Sequence, residues 1–327
     1  MKADILLTDV CISDPLSGEP VKSNSCLAVQ GEVISKIGPA SEFKAVEAKT
    51  VINGHGQLAF PGLINGHCHA AMTLFRGLAD DLSLSDWLTK HIFPAEAEYV
   101  QPEMVYWCSK LAAAEMILSG TTTVADGYFY EQYAAQAFAD AGLRAVAAQG
   151  VIDFPAPGVP DPKEKINHAA EFLTQWRDHT LISPAVFAHS PYTCSPDTLV
   201  AAKKLARSEK ALFFLHTAET EQEISMIQEK KGDSPVRHLH NLGLLDSETV
   251  CIHAIWLDEQ DLDILAESGA AVVVCPQSNL KLASGIAPLQ AMLDRNLRVG
   301  IGTDGTASNN RLDMLREMDI CAKLHKL

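Results

Sequence analysis

The chain has 327 residues, of which 47% are hydrophobic, so it contains enough apolar side chains to bury a large core. It carries 41 acidic and 26 basic residues, and its formal charge of −15 disfavours binding to nucleic-acid phosphates or to anionic lipid surfaces. The same charge favours a small neutral or zwitterionic substrate. The apolar runs are far shorter than the roughly 20 residues that cross a bilayer, so the sequence predicts no membrane segment.

The first 57 residues predict a small β unit, with short strands at 4–12, 26–30, 33–37 and 50–52. Asp4 falls where a secretory leader would continue an apolar core, and the eight cysteines contain no C-x-x-C pair. Scattered cysteines of this kind are typical of free thiols in a reducing compartment. The sequence therefore predicts a cytoplasmic protein, and it leaves a homo-oligomer open.

From residue 58 to residue 327, short apolar strands alternate with amphipathic helical segments such as 103–118 and 195–208. Eight strands are predicted, and they end near Ile64, Ala125, Ala148, Ala188, Leu215, Ile252, Val274 and Gly302. Eight alternations predict an α/β fold of the TIM-like (β/α)8 barrel type. Long excursions at 70–101 and 154–162 are expected to be loops that shape a substrate pocket.

A candidate metal site is spread over the carboxyl ends of several predicted strands. His67 and His69 are two residues apart, so their side chains share one face of the first strand. His216 follows the fifth strand and Asp304 the eighth, and such residues converge on one face of a barrel. Three imidazoles and one carboxylate suit zinc, with iron as the alternative. One ion is predicted, because the fourth strand ends in His189 and not in a lysine that could become a bridging carbamate.

Five segments resemble the amidohydrolase superfamily and, within it, most resemble the 5′-methylthioadenosine/S-adenosylhomocysteine deaminases. They are PGLINGHCH at 61–69, MTLFRGLADD at 72–81, HTAET at 216–220, SNLKL at 278–282 and GTDG at 302–305. Together they extend over nearly the whole chain, although related triazine hydrolases and guanine deaminases share much of the set. The resemblance implies a (β/α)8 barrel that holds one zinc or iron ion, with a small β domain made from both chain ends.

The proton transfers that hydrolytic deamination of an adenine ring requires suggest a role for each catalytic candidate. The metal lowers the pKa of a water molecule, and Asp304 is expected to accept its proton and later to donate it. Glu219 is expected to protonate the ring nitrogen, provided that burial raises its pKa. His253 ends the sixth strand and is expected to orient the nucleophile without binding the metal. Nearby Glu221 and Glu223 are interpreted as solvated acids at a helix start.

Three further residues are candidates for substrate binding. The resemblance implies that Glu96 accepts hydrogen bonds from both ribose hydroxyls, and that His189 hydrogen-bonds the purine. Trp87 is expected to cover the ring or a thioether, with plain packing as the alternative. Gln149 stands where some family members have an arginine, which disfavours a substrate that bears a carboxylate.

The predicted function is a metal-dependent hydrolytic deaminase of adenosine-type nucleosides. 5′-Methylthioadenosine is the leading substrate, and S-adenosylhomocysteine and adenosine stay open. One alternative is a hydrolase of another N-heterocycle, such as a triazine chlorohydrolase or a guanine deaminase. Another is a truncated, inactive metal-binding fragment, because the resembled proteins continue on the order of a hundred residues past Leu327. On that expectation the β unit would be an incomplete β-sandwich.

Overall fold

The structure is a computed structural model that describes residues 1–15 and 17–326, without the side chains of residues 230 and 231. Two compact units divide the chain, one of residues 1–62 and one from residue 63 onward. Strand pairing agrees with this division, because a short strand at Leu58–Ala59 pairs with the first strand of the chain. Residues 58–62, which the sequence pattern grouped with the barrel, lie in the first unit.

The first unit is a single five-stranded sheet. Its strands are β1 (Lys2–Ile12), β2 (Lys22–Gln30), β3 (Val33–Pro39), β4 (Glu47–Asn53) and β5 (Leu58–Ala59). The order is β3-β2-β1-β4 with β5 also beside β1; β2 is antiparallel to both neighbours, and β4 is parallel to β1. A small core closes it, formed by Ala3, Leu6, Cys26, Ala28 and Phe43. The four strands predicted here are present, and each is longer than predicted.

The second unit contains an eight-stranded parallel sheet whose strands follow one another in chain order. They are β6 (Leu63–Cys68), β7 (Thr121–Tyr128), β8 (Arg144–Val151), β9 (Ile182–Ala188), β10 (Phe213–Thr217), β11 (Thr249–His253), β12 (Ala271–Val274) and β13 (Arg298–Ile301). Helices separate them, as a parallel sheet requires. The predicted (β/α)8 architecture is confirmed, and the predicted strand ends lie at most four residues from the observed ones.

Thirteen α-helices are present among the described residues, and none of those helices combines the length and the apolar character that a bilayer crossing demands. They are α1 (Leu84–Trp87), α2 (Phe93–Tyr99), α3 (Pro102–Leu118), α4 (Glu131–Ala141), α5 (Lys165–Trp176), α6 (Pro196–Glu209), α7 (Glu221–Lys231), α8 (Pro235–Asn241), α9 (Glu259–Ser268), α10 (Pro276–Lys281), α11 (Leu289–Asp294), α12 (Thr306–Asn309) and α13 (Met314–Leu324). Side-chain caps start several of them: the Ser195 hydroxyl, for example, accepts the N–H of Thr198 at the start of α6.

Hydrogen bonds join the last strand of the barrel to the first. Oδ1 of Asn65 accepts the N–H of Thr303 over 3.0 Å, and Nδ2 of Asn65 donates to Oγ1 of Thr303 over 2.7 Å. The N–H of Asp304 donates to the carbonyl oxygen of His67 over 3.0 Å. We call the contact between β13 and β6 the seam. Gly302 is required there, because a Cβ at this position would lie 2.6 Å from the backbone nitrogen of His67. The seam therefore brings together candidate ligands that follow the first and the last strand of the barrel.

The segment 70–101 is largely helical, whereas the sequence pattern predicts a loop there. It contains a 3-10 helix at Ala70–Phe75, then α1, a π-helical turn at Leu88–Ile92, and α2. These helices are too short for a periodicity analysis, and only α1 has a side-chain cap, in which the Ser83 hydroxyl accepts the N–H of Asp86. As a result, Trp87 and Glu96 are held on helices and not on an open loop.

Candidate active site at the carboxyl ends of the barrel strands

Three histidines and one aspartate converge where β6, β10 and β13 end. The Nε2 atoms of His67 and His69 each lie 3.4 Å from Oδ1 of Asp304. The ring centroid of His216 lies 5.3 Å from that of His67 and 5.4 Å from that of His69. Tetrahedral ligands at roughly 2.1 Å from a zinc ion are about 3.4 Å apart. The potential ligand atoms of His67, His69 and Asp304 therefore lie at distances that suit a shared ion, and those of His216 lie within 4.8 Å of the ones that His67 and His253 offer.

Fixed acceptors orient two of the imidazoles. Nδ1 of His69 lies 2.5 Å from the carbonyl oxygen of Gly127, and Nδ1 of His216 lies 2.8 Å from that of His189. A carbonyl oxygen only accepts hydrogen bonds, so each Nδ1 carries the proton and each Nε2 presents a lone pair. Nε2 of His67 is buried and has no hydrogen-bond partner among the described residues, as expected of an atom that binds a metal.

Two serines hold the Asp304 carboxylate. Its Oδ2 accepts hydrogen bonds from Oγ of Ser278 over 2.6 Å and from Oγ of Ser308 over 2.8 Å. Its Oδ1 accepts the N–H of Gly305 over 2.8 Å and faces the histidines. One carboxylate oxygen is thus fixed by the protein and the other is directed at the cluster. This mixed nitrogen and oxygen donor set fits one divalent metal ion of the first transition row.

The protonation states in the cluster suit a cation. Burial lowers the pKa of His67 to about 4 and that of His189 to about 3. Burial also lowers the pKa of His69, and it lowers that of His216 well below its usual value. Burial alone would raise the pKa of Asp304, but its contacts with the histidines hold that pKa well below the ordinary value. Neutral imidazoles and an ionised carboxylate are the forms that bind metals.

Glu219 and His253 face the same centre. Oε2 of Glu219 lies 3.7 Å from Nε2 of His253, and Nδ1 of His253 lies 2.8 Å from Oδ1 of Asn279. Strand alternation would place His253 with Cys251, which packs in the outer core. A left-handed backbone at His253, with φ of 70°, directs its ring inward instead. Burial raises the pKa of Glu219, so this carboxyl keeps a proton at higher pH than an exposed glutamate.

Left-handed backbone conformations recur around this centre. Four non-glycine residues that border it have positive φ angles between 48° and 70°: Ala218, His253, Ala254 and Asp304. Each such conformation costs on the order of 1–3 kcal/mol and persists only where the surrounding structure imposes it. The hydrogen bonds and packing around this centre therefore have to hold these four residues in place.

The cluster opens into a cleft that is lined by residues from the ends of the barrel strands and from the helical segment that follows β6. His69, Glu219 and Asp304 are among the residues that line one part, which we call the metal end. The other part, the helical end, is lined by residues of α1, α2 and the turn between them: Leu84, Trp87, Leu88, Ile92, Phe93 and Glu96. No lysine or arginine is among the described residues that line the cleft.

Glu96 is the acid of the helical end. It is 6% exposed, and its Oε1 accepts the Tyr128 hydroxyl over 2.6 Å. Burial raises its pKa to about 7, and the hydrogen bond from Tyr128 opposes that increase. Trp87 is buried beside it in the lining, and its Nε1 has no hydrogen-bond partner among the residues described. His189 also lines the cleft, and its Nδ1 lies 2.9 Å from Oγ1 of Thr193.

The interpretation of Glu223 as a solvated acid is wrong. Glu221 is exposed, but Glu223 is 2% exposed, and its two carboxylate oxygens accept the N–H groups of Ala218 and Glu219. The sequence contains one signal for this contact, since Glu223 follows Glu219 by four residues. An acid in the first turn of a helix can accept hydrogen bonds from backbone N–H groups that precede the helix. The supporting roles of further residues were also missed, namely those of Asn65, Tyr128, Ser278, Asn279 and Ser308.

Comparison with known proteins identifies relatives of the whole chain. The model of the amidohydrolase family matches residues 58–327. The 5-methylthioadenosine/S-adenosylhomocysteine deaminase of Syntrophobacter fumaroxidans is 44% identical over 99% of this chain and 74% of its own length. A zinc-bound adenosine deaminase from Xanthomonas campestris superposes with a TM-score of 0.96 at 36% identity, over 99% of this chain and 74% of that one. The guanine deaminase of E. coli, with a TM-score of 0.86 at 23% identity over 99% and 79%, shares the fold.

Proposed function

Because this chain belongs to the amidohydrolase family, we propose that it is a metal-dependent hydrolytic deaminase of adenosine-type nucleosides. The reaction adds water at the amino-bearing carbon of the purine and releases ammonia and the inosine analogue. The observation that carries the proposal is the position of Glu219, a buried proton donor that faces His253 beside the cluster of His67, His69 and Asp304.

The protein side chains divide the proton transfers between them. His67, His69, His216 and Asp304 would hold one divalent ion, for which we propose Zn²⁺ with Fe²⁺ as the alternative; when bound, it lowers the pKa of a water molecule. Asp304 accepts the proton of the attacking water at its carboxylate and later delivers it to the departing amino group. Glu219 protonates the adjacent ring nitrogen, and the hydroxyl proton of the adduct restores Glu219 as ammonia leaves. His253 hydrogen-bonds the incoming oxygen through Nε2.

The residues of the helical end favour 5′-methylthioadenosine as the substrate. Glu96 is the acceptor for the two ribose hydroxyls, and His189 hydrogen-bonds the purine. Apolar side chains, including those of Trp87 and Phe93, suit a small thioether on the 5′ carbon. S-Adenosylhomocysteine carries a carboxylate, and no cationic side chain among the described lining residues would pair with it. The side chain of Gln149 hydrogen-bonds the backbone of Glu131 and Gly150 and is not part of the lining.

A substrate panel tests this proposal. 5′-Methylthioadenosine, adenosine, S-adenosylhomocysteine, guanine and an amino-triazine are each incubated with the protein, and the change in ultraviolet absorbance and the release of ammonia are measured. We expect 5′-methylthioadenosine to have the highest kcat/KM. Turnover of guanine or the triazine alone would overturn the nucleoside assignment, and no turnover of any compound by the metal-loaded chain would overturn the proposed activity.

The cytoplasmic location and the formation of a homo-oligomer remain predictions.

A further inference from the structure

Glu223 is a buried acid that contacts the backbone of Glu219 and not its side chain. Its Oε1 accepts the N–H of Ala218 over 3.0 Å, and its Oε2 accepts the N–H of Glu219 over 2.9 Å. Burial raises the pKa of Glu223 to about 7, and the two N–H groups oppose that increase because they bind the ionised carboxylate through directional, charge-assisted hydrogen bonds. Both donors belong to the turn between β10 and α7, which carries Glu219 into the cleft.

The same turn is held from its other side by the residues that follow β11. The carbonyl oxygen of Thr217 accepts the N–H of Ala254, and the carbonyl oxygen of Ala218 accepts the N–H groups of Ile255 and Trp256, all over 3.0 Å. These bonds engage the carbonyl groups of the turn, whereas Glu223 engages its N–H groups. Ala218 itself has a left-handed φ of 53°, a conformation that such contacts must maintain.

We propose that Glu223 is a positioning residue for the deamination, because it fixes the backbone from which Glu219 delivers its proton. The inference rests on the proposed function. Its physical basis is that a displacement of about 1 Å in a reacting group can cost on the order of 100-fold in rate. Without the carboxylate, the N–H groups of Ala218 and Glu219 would be buried without acceptors, and the strained turn would relax.

A glutamine at this position tests the idea with little change in shape. Glu223→Gln keeps one acceptor oxygen but places an NH₂ group against the second N–H, so it disrupts one of the two bonds. The cap of α7 is independent of this side chain, because the Thr220 hydroxyl accepts the backbone N–H of residue 223. Glu221→Gln is the matched control, since it removes the same charge from an exposed acid in the same helical turn.

The experiment measures kcat and KM for 5′-methylthioadenosine, bound metal per chain and the thermal midpoint of each variant. We expect Glu223→Gln to lower kcat per bound metal on the order of tenfold to 100-fold, with KM within about threefold of the unaltered chain and metal content retained. Glu223→Asp, which keeps two acceptor oxygens, should retain more kcat than Glu223→Gln. Glu221→Gln should match the unaltered chain in all readouts.

A double-mutant cycle separates positioning from general destabilisation. Added to Glu219→Gln, the Glu223→Gln substitution should lower kcat less than twofold further, because the group that it positions is already disabled. The inference would be overturned if Glu223→Gln lowered kcat as much in the Glu219→Gln variant as in the unaltered chain. It would also be overturned if Glu223→Gln alone had a normal kcat, or if its lower kcat were explained by lost metal alone. An unaltered chain without any deaminase turnover would instead reject the proposed function and this inference with it.

Discussion

The metal end and the helical end of the cleft are built from different kinds of structure. The metal end takes its side chains from the ends of parallel strands, and backbone carbonyls, serines and the seam between β6 and β13 fix them. The helical end takes its side chains from α1 and α2, which have four and seven residues. Helices of that length are unstable in isolation, so packing of Trp87 and Ile92 into the core must hold them.

This contrast indicates that the two ends of the cleft have different roles. The groups proposed to transfer protons and to hold a cation lie on elements whose positions a hydrogen-bonded barrel determines, because chemistry tolerates little displacement. The groups proposed to contact the ribose and its 5′ substituent lie on short helices, which can be altered without changing the barrel. Substitutions at the metal end should therefore affect turnover, whereas substitutions at the helical end should affect which substrate is accepted.

Removal of the metal should have the largest effect. Treatment of the protein with a chelator should reduce turnover to the uncatalysed background, and added Zn²⁺ should restore it. His67→Ala should lose metal and turnover together and should not be restored by Zn²⁺, because its Nε2 is one of the proposed ligands. Elemental analysis provides the check, with Glu96→Ala from the helical end as the control that keeps one ion per chain. Two ions per chain would contradict the single site.

Glu219→Gln should separate metal binding from proton transfer within the metal end. We expect kcat to fall by roughly 10²–10⁴-fold, because an amide cannot deliver the proton to the ring nitrogen. Metal content and KM should stay close to those of the unaltered chain. Steady-state kinetics and elemental analysis measure both, and near-normal turnover would show that Glu219 has no part in the reaction.

Glu96→Ala should alter substrate choice at the helical end. At pH 8, where a carboxyl with a pKa of about 7 is largely ionised, loss of this acceptor for two hydroxyls should cost on the order of 2–4 kcal/mol in kcat/KM for ribonucleosides. The corresponding 2′,3′-dideoxynucleosides lack those hydroxyls and should lose much less. The comparison of kcat/KM for both substrate types, with and without the substitution, is the measurement. Equal losses would remove the diol role and favour a heterocycle without a ribose.

Glu96 should also make stability depend on pH. Its pKa rises from 4.5 in the unfolded chain to about 7 in the folded one, so the folded state binds more protons between these values and loses stability as the pH rises through them. At about 1.4 kcal/mol per pKa unit, this loss is at most about 3.5 kcal/mol. Denaturant unfolding at pH 5 and pH 8 should show a smaller decline for Glu96→Gln than for the unaltered chain. Identical declines would mean that Glu96 is ionised throughout.

Much of the metal end could be predicted from the sequence because its residues follow short apolar strands in a regular order. His67, His69, His216, Glu219 and Asp304 were all selected in this way, and the structure brings them together. His253 was selected too, although strand alternation alone would have directed its side chain outward. The burial of Glu223 was not predicted, because an acidic helix start has the same local pattern whether it is solvated or buried.

The sequence by itself determined the order of strands and helices and the residues at the strand ends, because alternation of apolar and polar side chains reflects which face each residue buries. Only the tertiary structure decided how those residues are supported. The hydrogen bonds from Ser278 to Asp304, from Tyr128 to Glu96 and between Asn65 and Thr303 across the seam join residues that are far apart in the chain. A hydrogen bond between distant residues leaves no local periodicity, so it becomes visible only when the barrel closes.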